Sequence, residues 1–417
     1  MPSKLYRNIL QFGLIAVMIF IPFARGSVKI WSITLVELVV LVLVFLWLWK
    51  ANNDNEPFRK TKIDLPIWLF VVLAVISTVF SIYKNASFLE IFKLLMYIGA
   101  FYLVVNNFDR LMSLRLVATI IIMGTAMSVF GLAQYFLGLD HSWWVPENFL
   151  SSTYVNHNHF AGYLEMAIPL AIAVLLSLKS DKMSSMARLI ILRFGLILSL
   201  AFMFVALLVA QSRGAWISLG LSLLVMSIVL IKKKILPKIT IIIFLLFIFV
   251  AAVYILSGTD DVAQRLRFVE QVNNEGFLEG REKMWKGSIE MIKANPLIGT
   301  GIGTFEWGFP RYRPEGLNVR ANFAHNEYLQ MMTEMGLLAL PLMLWIIFFL
   351  VSSGLKWEDK SKFDKSKGSL GLLEAVVLGS AIGILSLSIH GLVDFNFHIP
   401  ANMLTLSVLA GIISRRV

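Results

Sequence analysis

What most constrains this chain is a succession of nearly uncharged apolar runs, most close to twenty residues long, separated by shorter polar connections. The hydrocarbon core of a bilayer is about 30 Å thick, and a helix needs about 20 residues to cross it. Within that core only structures that satisfy every backbone N–H and C=O internally are tolerated, and runs of this length do so as helices. The runs predict spans over 8–24, 30–49, 64–83, 87–106, 115–137, 159–178, 191–211, 214–231, 236–256, 335–354, 370–391 and 397–414. The expected fold is therefore an all-α integral membrane protein of about twelve transmembrane helices. Composition agrees, since only 15% of residues are charged against about 25% in soluble domains. Lys4 and Arg7 give the first run the look of a signal peptide, but its cleavage signal is poor and further spans follow, so an uncleaved helix is expected.

Charge placement orients these spans, because connections rich in Lys and Arg stay in the cytoplasm. One set holds Lys50, Arg59, Lys60 and Lys62; Arg110 and Arg115; Lys179, Lys182, Arg188 and Arg193; Lys232, Lys233, Lys234 and Lys238; and Lys356, Lys360, Lys362, Lys365 and Lys367. The alternate connections, apart from a long one over 257–334 with mixed charges, are nearly free of both types and are expected outside, with both termini inside. Topology thus accounts for the formal charge of +11, and no nucleic-acid partner is expected. Cysteine is absent, which excludes disulfides, thiolate metal sites and cysteine nucleophiles.

The chain divides into nine N-terminal spans over 1–256, a large outward loop over 257–334 and three C-terminal spans over 335–417. The loop is long enough to fold and to contain short helices. In REKMWKGSIEMIKANP, Trp285, Ile289 and Ile292 recur at i, i+4 and i+7 beside Met284 and Met291, which predicts an amphipathic helix stopped at Asn295-Pro296. Such a helix suits the outer membrane surface. GTGIGTF, residues 299–305, lacks the Lys-Ser/Thr of a phosphate loop and reads as a turn. No internal repeat is visible, which disfavours a transporter built from duplicated halves, and the polar candidates gather at the outer ends of the spans.

Residues able to carry chemistry cluster at one boundary. ANFAHNEYLQMMTEMG, residues 321–336, sets His325, Asn326, Glu327 and Tyr328 where the outward loop meets a span. Imidazole titrates near neutrality and can accept a proton from a hydroxyl nucleophile, with Asn326 or Glu327 to orient it. The competing reading is a buried histidine on a face shared with Tyr328, Leu329 and Met332. Arg213, in QSRGAW between two spans, and Arg265, Arg267, Arg281, Arg311, Arg313 and Arg320 in the loop are permanently charged forks suited to phosphate oxygens. Arg213 also reads as a snorkelling cation at a helix end. His157 and His159 have His-x-His spacing and His141, His390 and His398 are also outward, yet no HExxH accompanies them, so no metal site is expected. Glu165 and Asp394, near span ends, are expected to pair with arginines or lysines.

Together, SRGAW, GREKMW, NPLIGTGIGTF, NHNHFAGYLEMAIPL and above all AHNEYLQMMTEMG resemble the O-antigen ligase and polymerase superfamily, over residues from about 150 to 410. The resemblance implies a metal-independent, cofactor-free inverting glycosyltransferase in a bacterial inner membrane. Its donor would be a glycan on undecaprenyl diphosphate and its acceptor a glycan or lipid A core. It carries the diphosphate-binding arginines onto Arg213 and Arg281 and the catalytic histidine onto His325, on the side facing the periplasm. The outward connection over 138–158 has no Lys or Arg, which favours a ligase over a polymerase.

Overall fold

The computed structural model describes residues 3–138, 149–178, 185–237, 239, 277–317, 320–356 and 370–416. Among them there is no strand. Eight helices follow from the N-terminus: α1 (Ser3–Phe23), α2 (Ile30–Asn53), α3 (Asp64–Val79), α4 (Lys84–Asn107), α5 (Arg110–Leu137), α6 (His157–Ser177), α7 (Met186–Val209) and α8 (Arg213–Lys232). After them come α9 (Phe277–Ala294), the single turn α10 (Phe305–Gly308), α11 (Glu327–Met335), α12 (Ala339–Leu355), α13 (Leu372–His390) and α14 (Pro400–Arg416). By length and composition eight of these helices suffice to cross a membrane; α3 and α12 are shorter apolar helices. All but residues 236, 237 and 239 of the expected span over 236–256 lies outside the described residues, as do Arg265 and Arg267.

The span expected over 335–354 begins later than its hydropathy implies. Gly336 adopts φ 80°, ends α11, and lies so close to Leu297 that a side chain would meet the Leu297 carbonyl. The last span starts at Pro400 rather than 397, because residues Asn396–His398 form a 3-10 turn and proline favours the first helical position.

α6 and α13 form the buried centre. Their contact rests on Gly379 and Gly383, one turn apart on α13. A Cβ there would stand 2.8 Å from Leu170 Cα and 3.0 Å from Met166 Cα, so only small residues let these backbones approach. Consecutive helices run back and forth, and the two ends differ. At one, Arg7 pairs with Asp109 at 3.8 Å and the Arg59 N–H donates to Asn106 Oδ1 at 2.9 Å. At the other, the turn between α13 and α14 meets the first residues of α6, α8 and α11.

The loop before α12 carries its own small core, Met284 and Met291 of α9 against Phe305, Phe309, Leu317, Ala321 and Ala324. The Met284–Met291 face of α9 therefore packs on protein, and Ile289 is the exposed member of the apolar set. The glycine-rich segment fastens this loop to the α3–α4 hairpin: the Ile82 N–H donates to Thr300 O at 2.9 Å, and Ser87 Oγ donates to Ile302 O at 2.7 Å. Gly299 has φ 66° with its α-carbon against the Glu334 backbone. Gly299→Ala meets that backbone with no side chain to yield, and is expected to cost about 3 kcal/mol. A lower thermal midpoint, with faster proteolysis of residues 296–336, is the expected result.

Candidate functional site

His325 stands just outside α11, not on it, with φ 48°, a left-handed conformation that non-glycine residues adopt only where the surroundings enforce it. Its neighbours supply that enforcement. Ala324 donates its N–H to Gln330 Oε1 at 2.7 Å, and its carbonyl accepts Trp285 Nε1 at 3.1 Å. On the other side Asn326 is the N-cap, its Oδ1 accepting the Tyr328 and Leu329 N–H groups at 3.0 Å, while Nδ2 donates to Leu392 O at 2.9 Å. Gln330 Nε2 in turn donates to Glu334 Oε1 at 2.8 Å, and Glu334 accepts the Gly303 N–H at 2.6 Å and the Phe305 N–H at 3.2 Å. The glycine-rich segment thus closes on the protein's own carboxylate.

The remaining polar residues of the motif also hold the scaffold. Glu327 is fully buried and accepts from the Phe397 N–H, with its other oxygen 2.8 Å from His398 Nδ1. Tyr328 donates its hydroxyl to Ser388 O at 2.7 Å, tying α11 to α13. Asn326 caps and Glu327 engages His398, so the group facing His325 is a different one.

That group is Asp394, in the turn between α13 and α14 and only 2% exposed. Its Oδ1 lies 3.7 Å from His325 Nδ1 and 3.8 Å from His159 Nε2, and its Oδ2 lies 3.6 Å from Arg281 Nη2. Burial alone would raise this carboxyl, yet the facing His159 and His325 hold it well below the usual carboxylate range. At these distances the imidazoles stop just short of hydrogen bonds, and His325 Nδ1 and His159 Nε2 have no other partner. The Phe395 ring meets both imidazoles edge-on, with centroids 4.8 and 4.6 Å away, and stacks on Phe323 at 4.2 Å. With Nδ1 turned to Asp394, Nε2 is the free nitrogen of a side chain that remains 31% exposed.

Of the arginines expected at the site, Arg281 is largely covered and faces Asp394. Arg213 opens α8 and is exposed; the next residue, Gly214, lies against His390 and Val393, so Arg213 stands beside the turn that carries Asp394. Arg311 and Arg313 are exposed farther along the loop, and Arg320 pairs with Glu306. Deeper in, Glu165 of α6 meets His390 Nδ1 at 3.0 Å and accepts from Ser218, while Asn402 Nδ2 donates to Asn396 Oδ1 and to His159 O at 2.9 Å each. Glu165 therefore pairs with a histidine, and Asp394 with an arginine and two histidines. His157 turns to the Phe149 ring at 4.5 Å while His159 faces Asp394, so the His-x-His pair diverges. Among the described residues no group of three His, Asp or Glu side chains is arranged to hold a metal ion.

Two buried groups make the fold pH-sensitive. Burial opposes charge on His398, but Glu327 holds it up to about 9, so its contribution is complete below the ordinary histidine value of 6.5 and is lost as pH rises through 9. Burial raises Glu334 to about 7, so the fold loses stability as pH climbs from 4.5 to 7. Both act in one direction, on the order of 2–3 kcal/mol each. The thermal midpoint of the purified protein is expected to fall by several degrees between pH 5 and pH 9, and Glu334→Gln to remove the lower half of that fall.

The sequence model of a family described as O-antigen ligase matches residues 198–353, which hold Arg213, Arg281 and His325 and leave out His159 and Asp394. No curated protein matches the chain.

Proposed function

We propose that this chain, whose residues 198–353 match the O-antigen ligase model, is a member of that superfamily and transfers a glycan from a polyprenyl diphosphate to an acceptor hydroxyl. The acceptor oxygen attacks the anomeric carbon on the face opposite the diphosphate, with inversion. As that bond forms, the bond to the diphosphate oxygen breaks, and its electron pair leaves with the lipid diphosphate. The hydroxyl proton passes to His325 Nε2, and Asp394 steadies the resulting imidazolium through Nδ1. Arg281 and Arg213 hold the diphosphate and offset the charge it gains. The site faces the outside of a bacterial inner membrane.

The observation that carries this reading is the convergence of His325 and Arg281 on opposite oxygens of one buried carboxylate, 3.7 and 3.6 Å away. A base and a phosphate-binding cation held by one anchor can act on the nucleophile and the leaving group of one reacting carbon. The acceptor is a lipid-linked core glycan, as in a ligase. Proteoliposomes supplied with undecaprenyl-diphosphate glycan test the reaction: release of the lipid diphosphate, dependent on an added acceptor glycolipid, is expected. Release with donor alone and growth of its chain would instead make the enzyme a polymerase, and no release with any acceptor would overturn the reading.

A further inference from the structure

The reaction above leaves one member of the cluster without a task. His159, in the first turn of α6, is 95% buried by its 5% exposure, and its Nε2 has no hydrogen-bond partner. Buried polar atoms are nearly always satisfied, and each exception calls for an explanation. Packing does not provide one, because a phenylalanine would meet the Phe395 ring as well and leave no orphaned nitrogen. Chelation does not either, since its neighbour His157 points away to Phe149.

The geometry of Asp394 does provide one. Oδ1 faces two imidazoles, His325 Nδ1 at 3.7 Å and His159 Nε2 at 3.8 Å, while Oδ2 faces Arg281 at 3.6 Å. The last torsion of an aspartate is soft, so a carboxylate with one partner per oxygen can swing and carry the base with it. A second donor on Oδ1 removes that freedom. His159 is itself well placed to be rigid, since Asn402 holds its carbonyl and the Phe395 ring flanks its imidazole.

We propose that His159 is a positioning residue, donating its Nε2–H to Asp394 Oδ1 and so fixing the carboxylate with one oxygen toward His325 and the other toward Arg281. The inference rests on the transfer reaction proposed above. His159 acts on the carboxylate alone, while His325 keeps the face that meets the acceptor. The charged groups around His159 are Asp394 and Arg281, with the His390–Glu165 pair farther along α6.

Three variants in the proteoliposome assay test this. His159→Phe keeps the ring on Phe395 and removes the donor; His159→Gln keeps an N–H at similar reach; His325→Ala reports on the underlying reaction. His159→Phe is expected to lower kcat about 10- to 100-fold with the donor KM within about twofold of wild type, and His159→Gln to recover most of that loss. Both should elute and melt as wild type does. Should His159→Phe fail to assemble, His159→Asn, too short to reach Oδ1, takes its place with the same expectation. Equal loss in the glutamine and phenylalanine variants, or a change confined to KM, overturns the positioning role. Wild-type turnover by His159→Phe with an inactive His325→Ala defeats the inference alone, whereas an active His325→Ala defeats the transfer reading itself.

Discussion

His325→Ala is expected to lower kcat by about 10³-fold or more while leaving expression, membrane insertion and melting temperature as they were. General-base catalysis contributes typically 10²–10⁴-fold, and among the described residues neither neighbouring titratable group of the cluster is placed to substitute. Asp394 is held well below the usual carboxylate range and is already committed to Arg281. His159 is buried behind that carboxylate, with its Nε2 turned inward. The fold should tolerate the loss, since the segment is fastened by Ala324 and Asn326 on either side of His325. Alanine removes a ring that sits in the left-handed region only because its neighbours require it. Single-turnover measurements with a labelled donor would separate lost chemistry from lost binding: donor affinity should persist through the arginines while the burst disappears. Turnover close to wild type would remove His325 from the base role.

Asp394→Asn carries the second large effect, and it acts on stability and turnover together. Asparagine keeps the size and loses the charge, leaving the Arg281 guanidinium, 12% exposed, without its buried counter-charge. Breaking a buried pair by removing one partner costs about 3–5 kcal/mol, because the remaining ion loses its counter-charge in a site with little water. Turnover should fall by about 10²–10⁴-fold, since the imidazolium that forms on His325 loses its stabilising anion. The two effects can be separated. In Arg281→Gln, Asp394→Asn the stranded charge is gone, so part of the melting temperature should return and none of the activity. Recovery of turnover in that double variant would show that Asp394 serves only to neutralise Arg281.

The membrane character and most spans were legible in the sequence because hydropathy over twenty residues has one physical solution. The ends were less so: Gly336 interrupts an apolar run for a backbone approach to Leu297 that hydropathy cannot register, and the Asn396–His398 turn delays the last helix. At the site, His325 stood out as an imidazole where the outward loop meets a span, and Arg281 as a loop arginine that the family resemblance singled out. Asp394 was visible as an acid in a short turn and His159 as half of a His-x-His pair, but not their meeting. That meeting depends on the glycine-mediated contact of α6 with α13, which joins segments more than two hundred residues apart. Asn326 and Glu327 show the converse. They looked like partners of His325, and the structure gives them to the α11 cap and to His398.

The clamp of residues Pro296–Phe305 onto the α3–α4 hairpin also bears on how the molecule can be divided. From Ile82 and Ser87 the connection runs through Thr300, Gly303, Glu334 and Gln330 to the backbone beside His325. The stretch that carries the family signature therefore owes its geometry to helices far upstream of it, and half its charged anchor to the turn downstream. Excised as residues 198–353, it would keep its motif and lose its shape. The signature marks one stretch of the candidate site, while the unit that holds that site together extends from the early hairpin to the last helix.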